Sequence, residues 1–159
     1  MPSLINPEHR IQSQWDDESH SIIRVSHLLY WTWEELHRHE QQVIAPMLRS
    51  ARQPVSLLVD MRGGPFFDPT ATSEQVRQTG EMHRVLPLEL VVFVLRDMGT
   101  GTLLKVLHER YGAPNGIYRV ARTLDEARAM IRDYRLQEHY SAYVRPTDEL
   151  RQVDSPAGD

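Results

Sequence analysis

From Ile11 to Trp15 apolar and polar residues alternate. After the polar cluster Asp16-Asp17-Glu18-Ser19, an apolar-rich run resumes over Ser21–Tyr30 with Ile22, Ile23, Val25, Leu28 and Leu29. Two extended runs around a four-residue polar turn predict a β-hairpin. Thr32 and Glu35 have capping-box spacing, and Trp33, Leu36, Val43, Ile44, Met47 and Leu48 follow at roughly helical intervals. A helix therefore opens at Thr32 and ends at Gln53-Pro54, with Pro46 kinking it or splitting off its last turn. Val55–Met61 is short and almost continuously apolar, which predicts a strand buried on both faces. Arg62-Gly63-Gly64-Pro65 breaks it, and Asp68-Pro69-Thr70 has the look of a helix entry.

Ser73–Val85 is a polar helix weakened at Gly80 by roughly 1 kcal/mol relative to Ala. Leu88–Leu95 is the most hydrophobic run and is expected at the centre of the sheet; Arg96–Gly101 then leads into a helix over Thr102–Tyr111. Ile117–Ala121 is a short strand, and Thr123 with Glu126 forms a second capping box, opening a helix that carries Leu124, Ala127, Met130, Ile131 and Tyr134.

The order β-β-α-β-α-β-α-β-α, with later strands alternating with helices, implies an α/β fold. A single domain is expected, with a mixed, mostly parallel sheet of about five strands and four helices; the first hairpin strand is its antiparallel member. Residues 1–10 read as a loose arm, 11–140 as the domain and 141–159 as a frayed tail. The periodicities place Ile23, Val25, Leu36, Leu57, Val59, Val92, Val94, Leu104, Leu107, Val120 and Met130 in the core.

Composition narrows the function classes. The 159 residues suit one domain, and with 40% hydrophobic and 25% charged residues the chain is not disordered in bulk. A net charge of −4 gives no reason to expect nucleic acid. The absence of Cys excludes disulfides, thiolate metal sites and a Cys nucleophile. No run approaches the ~18 apolar residues of a membrane span, so a soluble cytoplasmic domain is expected. All but one of the 18 basic residues are Arg, which fits either fixed, bidentate anion contacts or a genome-wide compositional bias.

Motifs for chemistry are sparse. There is no GxGxxG after a strand, no P-loop and no GxSxG. Gly99-Thr100-Gly101-Thr102 precedes a helix, where free amides attract anions, although two glycines also simply ease a strand-to-helix turn. His37 and His39 stand two apart on one helix and cannot chelate together. Neither a metal nor a cofactor is expected. Glu34-Glu35 and Asp125-Glu126 lie in first helical turns, where they complement the dipole.

The informative segment is Val59–Ala71, VDMRGGPFFDPTA. In α/β sheets, sites are usually built beyond the carboxyl ends of parallel strands. Arg62 belongs at one such end, and Arg96 and Asp97 at the next. With Gly63, Gly64, Asp68, Thr70 and Thr100 they make a candidate partner- or anion-binding edge; the alternative is a pair of surface arginines on ordinary turns. If Arg62 is exposed, Arg62→Ala should change stability by no more than roughly 0.5 kcal/mol. If it is buried against Asp60 or Asp68, its loss strands a carboxylate at a cost of several kcal/mol.

This segment, with the order of elements, resembles the STAS domain family, whose bacterial members include anti-sigma-factor antagonists. Asp60, Met61, Gly63, Phe66, Phe67 and Asp68 match the family pattern in type and spacing. The closer resemblance is to its SpoIIAA-like branch (STAS/CRAL-TRIO-like bacterial proteins), through Thr32–Leu36, Val59–Arg62, Leu88–Leu95, Arg110–Gly112 and Thr123–Ala127.

The resemblance implies a non-enzymatic regulatory module. Its partner would be a protein, such as a regulatory kinase or other signalling component, docked at Arg62–Ala71 and the following helix; homodimer formation stays open. The serine that antagonists phosphorylate falls on Pro69, the glycine after it on Ala71, and the family's first Ser on Arg62. The phospho-switch is therefore expected to be lost, with Thr70 the nearest hydroxyl. The CRAL-TRIO likeness implies an alternative, a small apolar or lipid-like ligand held by Trp31, Trp33, Phe66, Phe67, Met82 and Met98.

Overall fold

The computed structural model describes residues 10–28, 31–63, 73–97 and 117–144. Strands β1 (Ile11–Trp15) and β2 (Ile22–Leu28) form the expected antiparallel hairpin, pairing Ile11 with His27 and Trp15 with Ile23. Asp17 organises its turn, accepting from the amides of Ser21 (2.9 Å) and Ile22 (2.8 Å). Although burial works against ionisation, the Ser19 and Ser21 hydroxyls and these amides hold the Asp17 carboxyl below its usual range.

β3 (Val55–Gly63), β4 (Leu88–Val94) and β5 (Tyr118–Ala121) then add in parallel, giving a five-stranded sheet in the order β1-β2-β3-β4-β5. β3, not β4, is the middle strand. It also runs two residues past Met61, because Arg62 and Gly63 continue the ladder beside Leu28.

Helix α1 (Trp33–His39) opens with the anticipated capping box: the Thr32 side chain accepts from the Glu35 amide at 3.2 Å, and the Thr32 amide donates to the Glu35 carboxylate at 2.8 Å. Pro46 divides the helix more elaborately than a kink would. A π turn spans Glu40–Ile44, closed by the Ala45 amide donating to the Glu40 carbonyl, and α2 (Ala45–Ser50) starts with Pro46 in its first turn. The wide turn admits the ring of a residue that lacks an amide hydrogen.

α3 spans Ser73–Val85, as its polar pattern predicts. The last helix, α4 (Leu124–Val144), continues past residue 140, where the frayed tail was expected to begin. Its cap is only half a box: Thr123 accepts from the Glu126 amide at 3.1 Å, but the Glu126 carboxylate accepts from the Arg122 backbone amide at 2.8 Å instead of from the Thr123 amide. The expected helix over Thr102–Tyr111, with Leu104 and Leu107, lies outside the described residues.

From β2 onward each described strand lies beside the previous one in the same direction, and α1, the π turn and α2, which connect β2 to β3, pack on one face of the sheet. There Leu36, Ile44 and Leu48 meet Ile23, Val25, Val55, Leu57, Val59, Val91 and Phe93. α4 follows the last strand and covers the other face, where Ala127 and Ile131 meet Ile22, Leu58, Leu90, Val92 and Val94. Of the expected core, Val120 and Met130 are only partly buried at its margins.

Two arginine forks fasten α4. Arg128 grips Asp16 through Nε (2.7 Å) and Nη2 (2.9 Å). Arg135 donates to Glu89 (2.6 Å) and to the Ser21 hydroxyl and carbonyl (2.9 Å each). No helix among the described residues is long and apolar enough to cross a membrane.

Candidate functional site

β2, β3 and β4 run parallel, so their carboxyl ends meet at one edge. A depression of about 340 Å³ opens there, lined by Ser26, His27, Leu28, Asp60, Arg62, Gly63 and Arg96. The fold thus brings Arg62, Gly63 and Arg96 together. Asp97 is exposed just beyond Arg96 but does not line the depression. Gly64, Phe66, Phe67, Asp68, Thr70, Met98 and Thr100 lie outside the described residues.

Local register explains the edge. Ser26 pairs with Asp60 and Leu28 with Gly63, so β3 carries one extra residue opposite His27. Such a bulge re-aims side chains at a strand end. Gly63 is needed for the close approach: a Cβ there would stand 3.2 Å from the His27 carbonyl oxygen.

Asp60 and Arg62, two apart on one strand, share a face. The guanidinium donates through Nε to Oδ1 (2.9 Å) and through Nη2 to Oδ2 (3.0 Å), and the Arg62 amide adds a bond of 3.2 Å. Burial alone would raise the Asp60 pKa, but the Arg62 fork outweighs it and the carboxyl sits below its usual range. Arg62 is therefore not the free surface cation that an anion site would want. Its side chain is 35% exposed and that of Asp60 is 16% exposed, which is neither surface nor interior. Arg62→Ala should accordingly cost about 1–2 kcal/mol in urea unfolding, between the roughly 0.5 of a surface arginine and the several kcal/mol of a fully buried pair. Arg96 is exposed and has no hydrogen-bond or ion-pair partner among the described residues.

A second feature lies on the helix-covered face. Val25, Leu57, Val59, Met61 and Phe93 of the sheet, with Trp31, Trp33, Leu36 and Ile44 above them, enclose a cavity of about 50 Å³. Four polar residues also line it: His27, Glu40, Thr79 and His83. His83 Nδ1 lies 2.9 Å from the Tyr118 hydroxyl. His27 Nδ1 and the Thr79 hydroxyl are buried with no hydrogen-bond partner. Burial first, and nearby His39 second, push the His27 pKa down to about 4, with Asp60 opposing.

Glu40 opens the π turn facing inward and is 3% exposed. Burial pushes its carboxyl up, partly offset by a 3.3 Å contact with His37 Nδ1. His27, Trp31, Trp33 and His37 form a run of ring contacts beside the cavity, with centroids 4.8, 5.3 and 6.4 Å apart. Met82 faces a separate groove with Ala45 and Val85.

Nothing in the chemistry motifs pointed to these polar residues, yet two left a signal. His27 continues the inward phase of Ile23 and Val25, and Glu40 sits on the apolar stripe between Leu36 and Ile44. Thr79 and His83 lie on a helix too polar to show which face turns in. His37 and His39 diverge as their spacing requires, the first to Glu40 and the second to Ser13 at 2.7 Å. Among the described residues no group of three or more His, Asp or Glu is placed to hold a metal. Compared with protein-family models, curated proteins and solved structures, the chain matches none.

Proposed function

We propose that the chain is a non-enzymatic regulatory module of the STAS-like kind that docks a protein partner, in a cytoplasmic setting, at the carboxyl edge of β2, β3 and β4. One observation carries this reading: Arg96 is exposed and unpartnered among the described residues, on the same depression as the pinned Arg62–Asp60 pair. The pair fixes a polar floor of near-zero net charge, and Arg96 supplies a cation that is unpartnered among the described residues. An acidic segment of a partner suits such an edge, because a planar guanidinium recognises carboxylates by a two-point contact.

The lipid-like alternative has Trp31 and Trp33 in its favour, since both line the inner cavity. Its volume of about 50 Å³ is far below the ~300–1,000 Å³ of drug-sized sites, so a ligand there must be only a few atoms.

The docking reading is tested by copurification from the native organism with wild type and Arg96→Glu. Proteins that docking retains should fall about tenfold or more in the variant, because an acidic segment would then face a like charge. The thermal melt should not move. An unchanged set of retained proteins would overturn the reading.

A further inference from the structure

We propose that β1 is the seat of a homodimer, pairing antiparallel with β1 of a second copy of this chain across a two-fold axis at Ser13. The inference does not depend on the docking edge. β1 is an edge strand: among the described residues only β2 pairs with it. The bonds at the two ends of the hairpin fix which backbone groups are spent. The Asp16 amide donates to the Ile22 carbonyl (2.8 Å) and the Leu28 amide to the Arg10 carbonyl (2.6 Å), so alternate residues from Arg10 to Asp16 turn their N–H and C=O groups toward β2. Ile11, Ser13 and Trp15 turn theirs outward, where another strand can pair with them. Native proteins blunt free edges with charge, proline or a bulge. β1, IQSQW, carries no charged residue, proline or glycine, and its ladder with β2 has no register shift.

The strand points to a second copy because it reads alike in both directions about Ser13: apolar, Gln, Ser, Gln, apolar. A two-fold axis there sets Ser13 against its own copy and Ile11 against the second copy's Trp15, and each of these outward-facing pairs exchanges both backbone bonds. Ile11 and Trp15 lie on the face that α1 covers, so their contact continues the apolar layer from one sheet into the next. Gln12 meets Gln14 on the other face, and no like charges meet within the strand.

Charge complements the ends of the pairing. Arg10, with its side chain 46% exposed and only a loose 3.8 Å contact to Glu35, precedes β1. The acidic turn Asp16-Asp17-Glu18 follows it. Antiparallel pairing brings each Arg10 beside the second copy's acidic turn. Asp16 is gripped by Arg128, and Asp17 is occupied by the amides of its own turn. Glu18, exposed and with no hydrogen bond or ion pair among the described residues, is the acid left for Arg10 to meet.

The test is sedimentation velocity of the full chain at neutral pH over the micromolar-to-millimolar range, where small interfaces associate. A monomer–dimer equilibrium is expected. Ser13→Pro should weaken the dimer about tenfold or more while the chain stays folded, because a proline there gives up only an outward amide. Arg10→Glu and Glu18→Arg should each weaken it several-fold, and the two together should restore it. A monomer at every concentration, a dimer indifferent to Ser13→Pro, or charge reversals that do not rescue each other would overturn the proposal.

Discussion

Leu58→Ala is expected to lower the free energy of unfolding by about 3–4 kcal/mol, read by denaturant unfolding at neutral pH. Leu58 is fully buried on the middle strand and belongs to the cluster that Ala127 and Ile131 of α4 complete. Parallel strands flank it on both sides, and the Arg128 and Arg135 forks fasten the helix above, so the surroundings have little freedom to collapse into the space. The cost is therefore set above the lower end of the Leu→Ala range. A loss below about 1 kcal/mol would mean that α4 does not pack on this face.

Acidification from pH 7 to pH 4 is expected to remove about 3 kcal/mol through His27 alone. An unfolded histidine titrates near 6.5, whereas buried His27 titrates at about 4. Between those values the unfolded chain binds the proton and the folded chain does not, so stability falls as the pH drops through this window.

Other groups act in the same range with different signs. Glu40, pushed up by burial, takes its proton more readily when folded, so protonation relieves the fold as the pH falls. His37, raised by its bond to Glu40, contributes stability that is present at low pH and lost as the pH rises through its folded pKa. Asp60, held low despite its burial by Arg62, loses its contribution only below the usual carboxylate range. The His27 share is isolated by comparing wild type with His27→Leu: the variant should lack about 3 kcal/mol of the acid-side loss. Parallel pH profiles for the two proteins would show that His27 is not buried as a neutral ring.

How much of this could be read in advance depended on whether a residue announces its surroundings. The hairpin, the Thr32 cap, the strand starting at Val55 and the Ser73–Val85 helix are written in local pattern, and all are present. Strand order is not local. The Leu88–Val94 run is the most apolar, but it lies second from an edge, because a strand under α4 needs apolar residues as much as a central one does. The extent of β3 was also hidden, since Gly63 looks like a turn residue until the bulge opposite His27 shows why a side chain does not fit.

The arginine excess suggested contacts to outside anions. Three of these residues instead grip the chain's own carboxylates, Arg62 on Asp60, Arg128 on Asp16 and Arg135 on Glu89. No spacing rule separates such a fork from a binding arginine, because its partner can lie more than a hundred residues away, as Asp16 does from Arg128. That the polar residues around the cavity meet one another was hidden for the same reason, although the phase of His27 and Glu40 marked each as inward-facing. His27, Glu40, Thr79 and His83 come from three separate elements, β2, the π turn and α3, and meet only when the sheet is closed by the helices over it.

The claim that the carboxyl edge is the docking surface is tested most directly by site-specific photo-crosslinking in native cells. One probe replaces Arg96 at that edge, and a control replaces exposed Gln53 just before β3 at the opposite end of the sheet. To keep the edge cation in at least one reaction, a further probe replaces exposed Asp97 beside it. Crosslinks from position 97 should concentrate in one or a few proteins, weaken at position 96 where the guanidinium is gone, and be absent from position 53. The same proteins captured with equal yield from position 53, or none captured from position 97, would contradict docking at this edge.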